Sequence, residues 1–366
     1  MSHEDKKQVS IVMSNKCNLN CVYCYAQNSH LSSYQKIEIE FAKAGIFDYF
    51  SQGHDQIRFF SLGEATIEFD TIAELMEFSY TLVGERLTSE IQTNGIMSKY
   101  VAHWIGKHIN NIWISWDGPP EVQDTFRPTV SGKNTSGILE RNVEIMLQEK
   151  KTQKKGFVGA RVTVTGKTID RQKEIIDYLK DCGIKYVYSD PVFLPVEDDE
   201  SLNIVGSIEL MDYCKVFVDA HNYAKQKGIF YGSFYMINFD KSCSYHCRSC
   251  LPTPHLSCDG FVSGCDMALD AESSHMQQLI YGHWDRENKV IVYDYDKINH
   301  LQTRTVKNIL ACQKCEIAQY CGGYCIGEVL NETGDFYGIL EERCEAIRFL
   351  AKHLLVGKTH LPVLHP

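Results

Sequence analysis

Residues 15–28 read NKCNLNCVYCYAQN. Cys17, Cys21 and Cys24 fall within eight residues, spaced Cys-x3-Cys-x2-Cys. Three thiols fit neither simple use of cysteine. A closed tetrahedral metal site takes four ligands, and a disulfide takes two. Three thiolates on one short loop can hold three irons of a [4Fe–4S] cluster, and the fourth iron is then left without a protein ligand. An open coordination position marks a catalytic metal, as a closed one marks a structural metal. From spacing alone, the alternative is a zinc or structural cluster loop completed by a distant ligand.

The residues just before the loop, VSIVMS (9–14), form a short run suited to a buried strand. Five similar runs follow: IRFFSLG (57–63), EIQTNG (90–95), NIWISWDG (111–118), FVGARVTVTG (157–166) and KYVYSDPVF (185–193). Each is rich in β-branched and aromatic residues and ends near Gly, Asn, Asp or Pro. Helical periodicity fills the gaps, at 37–50, 69–84, 98–108 and 136–148. It is clearest in TIDRQKEIIDYLKDCG (168–183), where Ile169, Ile175, Ile176, Leu179 and Cys182 share a face and Gly183 marks the stop. Six β/α units in a row imply an α/β fold with a parallel sheet, curled into a partial (β/α)6 TIM-like barrel. The three-cysteine loop then sits at a strand's C-terminal end, the face where such barrels build active sites.

The chain has 366 residues, 44% hydrophobic and 23% charged, enough for a large core. Its net charge of −10 argues against nucleic-acid backbones and anionic membranes as partners. The run KKTQKK (150–155) reads as a solvated loop. No apolar run approaches the ~20 residues of a membrane span, and MSHEDKKQVS lacks the apolar region of a secretory signal. A cytoplasmic protein is expected, where thiols stay reduced. Fifteen cysteines in that setting argue for metal sites. Ten of them lie between Cys243 and Cys344, beyond a long helical stretch at 206–227. That region reads as loop-rich, with a strand at 289–296 and a last helix near 339–355. The expected division is a barrel over 1–235 and a metal-held domain over 236–366.

With Tyr23 in its aromatic position, the loop resembles the Cys-x3-Cys-x-aromatic-Cys signature of the radical S-adenosylmethionine (SAM) superfamily. The resemblance implies that SAM's amino and carboxylate groups chelate the fourth iron, and that SAM is split to a 5′-deoxyadenosyl radical that removes a substrate hydrogen. FFSLGEAT (59–66) stands where the family has a Gly-Gly-Glu-Pro turn, with Leu62 for the first Gly and Ala65 for the Pro. By resemblance Glu64 would accept hydrogen bonds from SAM's ammonium, Ser115 and Arg127 would hold its carboxylate, and Asp117 would support that loop. IQTNG (91–95) and ISWDG (114–118) look like the family's third and fourth strand ends. Arg161, on the fifth strand, reads either as a lumen ligand or as a rim salt bridge.

Further on, Cys250-x9-Gly260-x4-Cys265 and Cys312-x2-Cys315-x5-Cys321-x3-Cys325, closed by Cys344, resemble the SPASM extension of radical SAM enzymes. That implies two auxiliary clusters, and three [4Fe–4S] clusters in all. Cys312, Cys315, Cys321 and Cys344 would ligate one. Cys250, Cys265 and Cys325 would ligate the other with an upstream cysteine, Cys243 or Cys247, of which the spacing in relatives favours Cys243. Two zinc knuckles are the alternative. Cys182 and Cys214 read as ordinary buried thiols, Cys258 has no role, and the histidines read as structural. Relatives with this extension oxidise or crosslink peptide and protein side chains, so the implied partners are a peptide or protein substrate and a reductant such as flavodoxin or ferredoxin. Only sixteen residues precede Cys17, so a separate leader-peptide recognition protein is a further expected partner. Formylglycine formation, as in anaerobic sulfatase maturases, is the alternative, and there Asp266 would be the base. A non-catalytic electron carrier would have no use for Glu64, Ser115 and Arg127.

Overall fold

Seven short strands run parallel in sequence order: β1 (Gln8–Val12), β2 (Gln56–Phe60), β3 (Thr88–Thr93), β4 (Asn111–Ser115), β5 (Phe157–Val164), β6 (Tyr186–Pro191) and β7 (Phe230–Gly232). The computed structural model describes residues 8–26, 33–153, 155–192, 203–268 and 274–355. The first seven residues of the stretch read for a signal lie outside the described residues. So do Gln27 and Asn28 of the three-cysteine stretch, Lys154 of the lysine run, and Phe193 at the end of the sixth expected strand. Among the described residues, no helix is long and apolar enough to cross a membrane.

Between the strands lie α1 (Ile39–Ser51), α2 (Phe69–Val83), α3 (Lys99–His108), α4 (Pro120–Phe126), α5 (Ser136–Lys151) and α6 (Gln172–Asp181), and α7 (Leu210–Gln226) precedes β7. α6 ends as its sequence dictates. Cys182 caps it, Gly183 adopts φ +90°, and Ile184 N returns to Leu179 O at 3.0 Å. α7 begins four residues later than its pattern suggests, because Gly206 sits at φ +72° and cannot continue a right-handed helix. β7 is a seventh parallel strand. At three residues it is too short to show any period.

The alternation of each strand divides the sheet into two faces. One carries Ile11, Ile57, Phe59, Ile91, Ile112, Ile114, Ala160, Val162 and Val187, all buried under the helices. Burying each large aliphatic side chain contributes about 1.5–3 kcal/mol. The opposite face lines the lumen. Its floor beside β4–β7 is closed by Trp113, Phe157, Tyr186, Tyr188 and Phe230. Beside β1–β3 the lumen is polar instead, with Ser10, Arg58 and Glu90 in register on neighbouring strands.

The C-terminal region is hydrogen-bonded into the same sheet. β8 (His255–Leu256) runs parallel to β1, placing His255 opposite Ser10. β9 (Phe261–Ser263), β10 (Ile280–Asp285) and β11 (Val290–Tyr293) continue it antiparallel, giving eleven strands in the order β11-β10-β9-β8-β1 through β7. The remaining helices are α8 (Tyr295–Gln302), α9 (Ala318–Cys321), α10 (Ile326–Thr333) and α11 (Glu341–Leu354), the last packed on α7.

Candidate active site and metal centres

The Cys17–Cys24 loop is pinned from both sides. Asn15 Nδ2 donates to Ser33 O and its Oδ1 accepts from Gln35 N, each at 2.9 Å. Across the loop, Leu19 bridges to Thr129, and Val22 N donates to Phe126 O at 3.0 Å. Burial pushes the Cys17 thiol up to about 12. It pushes Cys21 up to about 11, although the Arg127 guanidinium, with Nη1 3.9 Å from Cys21 Sγ, opposes it. A bound metal turns its thiol ligands into thiolates, and three thiols on one pinned loop are a donor set that fits an iron–sulfur cluster.

The turn after β2 comes into direct contact with this loop. Glu64 N donates to Lys16 O at 2.7 Å, and a Cβ on Gly63 would lie 1.9 Å from that same carbonyl. This is why the turn keeps its second glycine while Leu62 is tolerated at the first. The Glu64 carboxylate is buried and crosses to the end of β3. It accepts from Thr66 N (2.9 Å), Thr66 Oγ1 (2.7 Å), Thr93 Oγ1 (2.6 Å) and Asn94 N (2.6 Å). Burial raises its pKa against these bonds. Three of the four bonds fall on Oε1, so Oε2 keeps acceptor capacity for a ligand. Asn94 Nδ2 in turn donates to Asn18 Oδ1 at 2.7 Å, tying β3 to the cysteine loop.

Beyond β4, Asp117 gathers the opposite wall. It is 1% exposed and accepts from Tyr23 OH, from Arg127 Nε (2.9 Å) and Nη2 (3.3 Å), and from Thr163 N (2.9 Å). The Arg127 guanidinium also lies over the Tyr23 ring, 5.1 Å from its centroid. Tyr23 and Arg127 therefore meet at Asp117, and Arg127 Nη1 is directed toward Cys21. Ser115 is half-buried at the end of β4, in register with Arg161 on β5. Arg161 faces the lumen over Tyr188, at 5.7 Å, and stands 3.9 Å from Asp190, so it is both lumen-facing and salt-bridged.

Asp266 enters the lumen from the C-terminal region. Arg58 Nη1 donates to both its oxygens (2.7 and 3.1 Å), His255 Nε2 lies 2.9 Å from Oδ1, and Arg248 Nη2 lies at 4.0 Å. Burial alone would raise its carboxyl pKa. Arg58, His255 and Arg248 outweigh burial and hold it well below the usual carboxylate range. Tyr25, directly after Cys24, lies within the electrostatic reach of Asp266, Arg58 and Arg161. Sequence reasoning missed Arg58, His255 and Asn94. One signal was available, a lone charged residue, Arg58, among the apolar side chains of the buried strand QIRFF.

The C-terminal thiols fall into two groups. Cys312, Cys315, Cys321 and Cys344 line a cavity of about 240 Å³ with Arg348 at its edge. Cys247 and Cys265 lie within each other's electrostatic reach and within that of both Cys250 and Cys325. Ser249 touches two of them, accepting from Cys247 Sγ at 3.3 Å and hydrogen-bonding Cys265. Cys243 lies along α9 instead, its amide donating to Gln319 O at 2.7 Å. Among the described residues, no three His, Cys, Asp or Glu side chains are grouped so as to hold a single metal ion.

Residues 11–206 match the family described as the Radical SAM superfamily. The chain belongs to that superfamily, and membership implies SAM and a [4Fe–4S] cluster. It is 20% identical over 376 residues to the radical SAM cyclopropyl synthase TigE of Paramaledivibacter caminithermalis, covering 96% of this chain and 74% of that protein. It is 24% identical over 184 residues to the cysteine-type anaerobic sulfatase-maturating enzyme of Clostridium perfringens, covering 48% of each. Its fold is that of anSMEcpe, solved with bound AdoMet and the Kp18Cys peptide, at a TM-score of 0.71 and 19% identity over 94% of this chain and 96% of that one.

Proposed function

We propose that this chain is a radical SAM enzyme that oxidatively modifies a peptide or protein side chain, forming a thioether or another crosslink. The observation that carries the reading is the ion pair between Asp266 and Arg58. It brings the residue next to Cys265 into the lumen that also holds Tyr25 and the Cys17–Cys24 loop. When bound, the SAM-ligated cluster supplies a 5′-deoxyadenosyl radical and two auxiliary clusters supply an electron sink. In this reading Cys17, Cys21 and Cys24 hold the first cluster, Glu64 receives SAM's ammonium through Oε2, and Ser115 and Arg127 Nη1 receive its carboxylate, with Tyr23 stacked beneath Arg127. Arg161 borders the substrate. After a hydrogen atom leaves the substrate, a two-electron oxidation also requires loss of a proton; in this reading Asp266 takes it, its pairing with Arg58 and His255 loosening once substrate is bound so that its basicity rises.

The names of the relatives support peptide and protein substrates, and the lumenal position of Asp266 favours formylglycine formation as the second reading. A cytoplasmic enzyme reduced by a flavodoxin or ferredoxin, with a separate leader-recognition protein, and with residues 1–235 and 236–366 as its two units, completes the proposal. The test is anaerobic incubation with peptides encoded beside its gene, followed by mass spectrometry. A crosslink removes two hydrogens, and formylglycine from cysteine also exchanges sulfur for oxygen. Unchanged peptides in every case, with SAM still cleaved, would reject both substrate readings. In Asp266→Asn, iron and SAM cleavage are expected to survive while product falls by roughly 10²–10⁴-fold. Loss of iron as well would make Asp266 a structural tie.

For the first auxiliary site, the thiol grouping supports Cys247 as the fourth ligand, where the spacing in relatives favoured Cys243. Cys247→Ser is expected to bind about two-thirds of the wild-type iron and Cys243→Ser the full amount. The reverse pattern would restore Cys243.

A further inference from the structure

Arg304 is a buried cation with only neutral partners. It is 1% exposed, and its guanidinium donates to three backbone carbonyls, those of Phe336, Gly323 (3.0 Å) and Gly338 (3.3 Å). Among the described residues, no carboxylate forms an ion pair with it. A charge buried this deeply without a counter-charge is strongly destabilising. The groups within its electrostatic reach that would turn anionic with clusters bound are thiols of both C-terminal groups: Cys250, Cys325 and Cys247 of one, and Cys312 of the other.

The chain's path explains the placement. Gly323 lies midway between Cys321, in one group, and Cys325, in the other. Residues 322–324 all take positive φ, including Tyr324 at +60°, and a Cβ on Gly322 would lie 2.2 Å from Tyr245 O. This strained connector leaves Gly323 O pointing at Arg304. The same guanidinium holds the 336–338 segment that leads to Cys344.

We propose that Arg304 is the shared counter-charge of the two auxiliary clusters, raising the reduction potential of both while clamping the Cys321–Cys325 connector between them. This rests on the reading that both groups hold clusters. Two four-thiolate clusters bring net negative charge to either side of the guanidinium. A fixed positive charge in a medium of low dielectric stabilises the reduced form, which carries one more negative charge. Arg304 is a positioning and tuning residue, with no contact to substrate implied.

The experiment compares wild type, Arg304→Lys and Arg304→Gln after anaerobic reconstitution, by iron content and by an EPR-monitored redox titration. In Arg304→Gln both auxiliary potentials are expected to move to more negative values, while the potential of the Cys17–Cys24 cluster stays in place. Arg304→Lys is expected to keep its iron and to lie close to wild type. Unchanged auxiliary potentials in a fully loaded Arg304→Gln protein overturn the proposal, as does a shift confined to one cluster. If both variants lose auxiliary iron alike, Arg304 is only a clamp and its charge has no special part. Wild-type protein that loads only about four irons, in place of about twelve, would overturn the two-cluster reading itself, a failure distinct from the others.

Discussion

A Cys17/Cys21/Cys24→Ala triple variant is expected to bind about two-thirds of the wild-type iron and to release no 5′-deoxyadenosine from SAM. The loop is tied to the barrel chiefly through Asn15, Leu19, Asn20 and Val22, and the thiols accept only long contacts from Leu19 N, Asn94 Nδ2 and Arg127 Nη1, so the variant should keep the barrel. What it loses is the donor set. Burial pushes Cys17 up to about 12 and Cys21 up to about 11, and a bound metal works against that shift. In the proposed reading, Glu64 and Arg127 would then have no iron to present SAM to. Iron content and chromatographic detection of 5′-deoxyadenosine read the two effects separately. Release at an undiminished rate would falsify the assignment of this loop as the SAM-binding centre.

Asp117→Ala is expected to lower the stability of the barrel by about 3–5 kcal/mol, the cost of stranding a buried charge when its partner is removed. Asp117 and Arg127 are 1% and 9% exposed, so solvent screens little of the pair. The aspartate also holds Tyr23 OH and Thr163 N, and its own amide is held by Gln123 Oε1 at 2.9 Å. Removing it frees the Arg127 guanidinium from the geometry that directs Nη1 toward Cys21. Denaturant titration of wild type and variant under identical metal loading measures the loss. SAM affinity should fall in parallel, because Arg127 would no longer be held in place. An unchanged midpoint would mean that Arg127 re-pairs at no cost, for instance with the Cys21 thiolate.

Much of the barrel was legible because its signals are local. Strand runs, helix faces and Gly183 act within a few residues of themselves, and the parallel sheet follows from their alternation. The Asp117–Arg127 pair was half legible. Both residues stand out in ISWDG and DTFRP, and the intervening helix Pro120–Phe126 brings them together. β8 and β9 were not legible, since two or three residues carry no periodicity, and their partners lie elsewhere in the chain.

By itself, the sequence determined the three-cysteine loop, its place after a strand, and seven further cysteines whose pattern resembles that of the SPASM extension. Those are properties of local spacing. Only the tertiary structure decided that Asp266 meets Arg58 across 208 positions, and that Arg304 is buried against the carbonyls of Phe336, Gly323 and Gly338. The C-terminal region reaches the barrel by pairing β8 with β1 and packing α11 on α7. A buried charge signals in the sequence that it needs a partner, but which partner reaches it is fixed by chain closure and burial, and neither is written in any short window of residues.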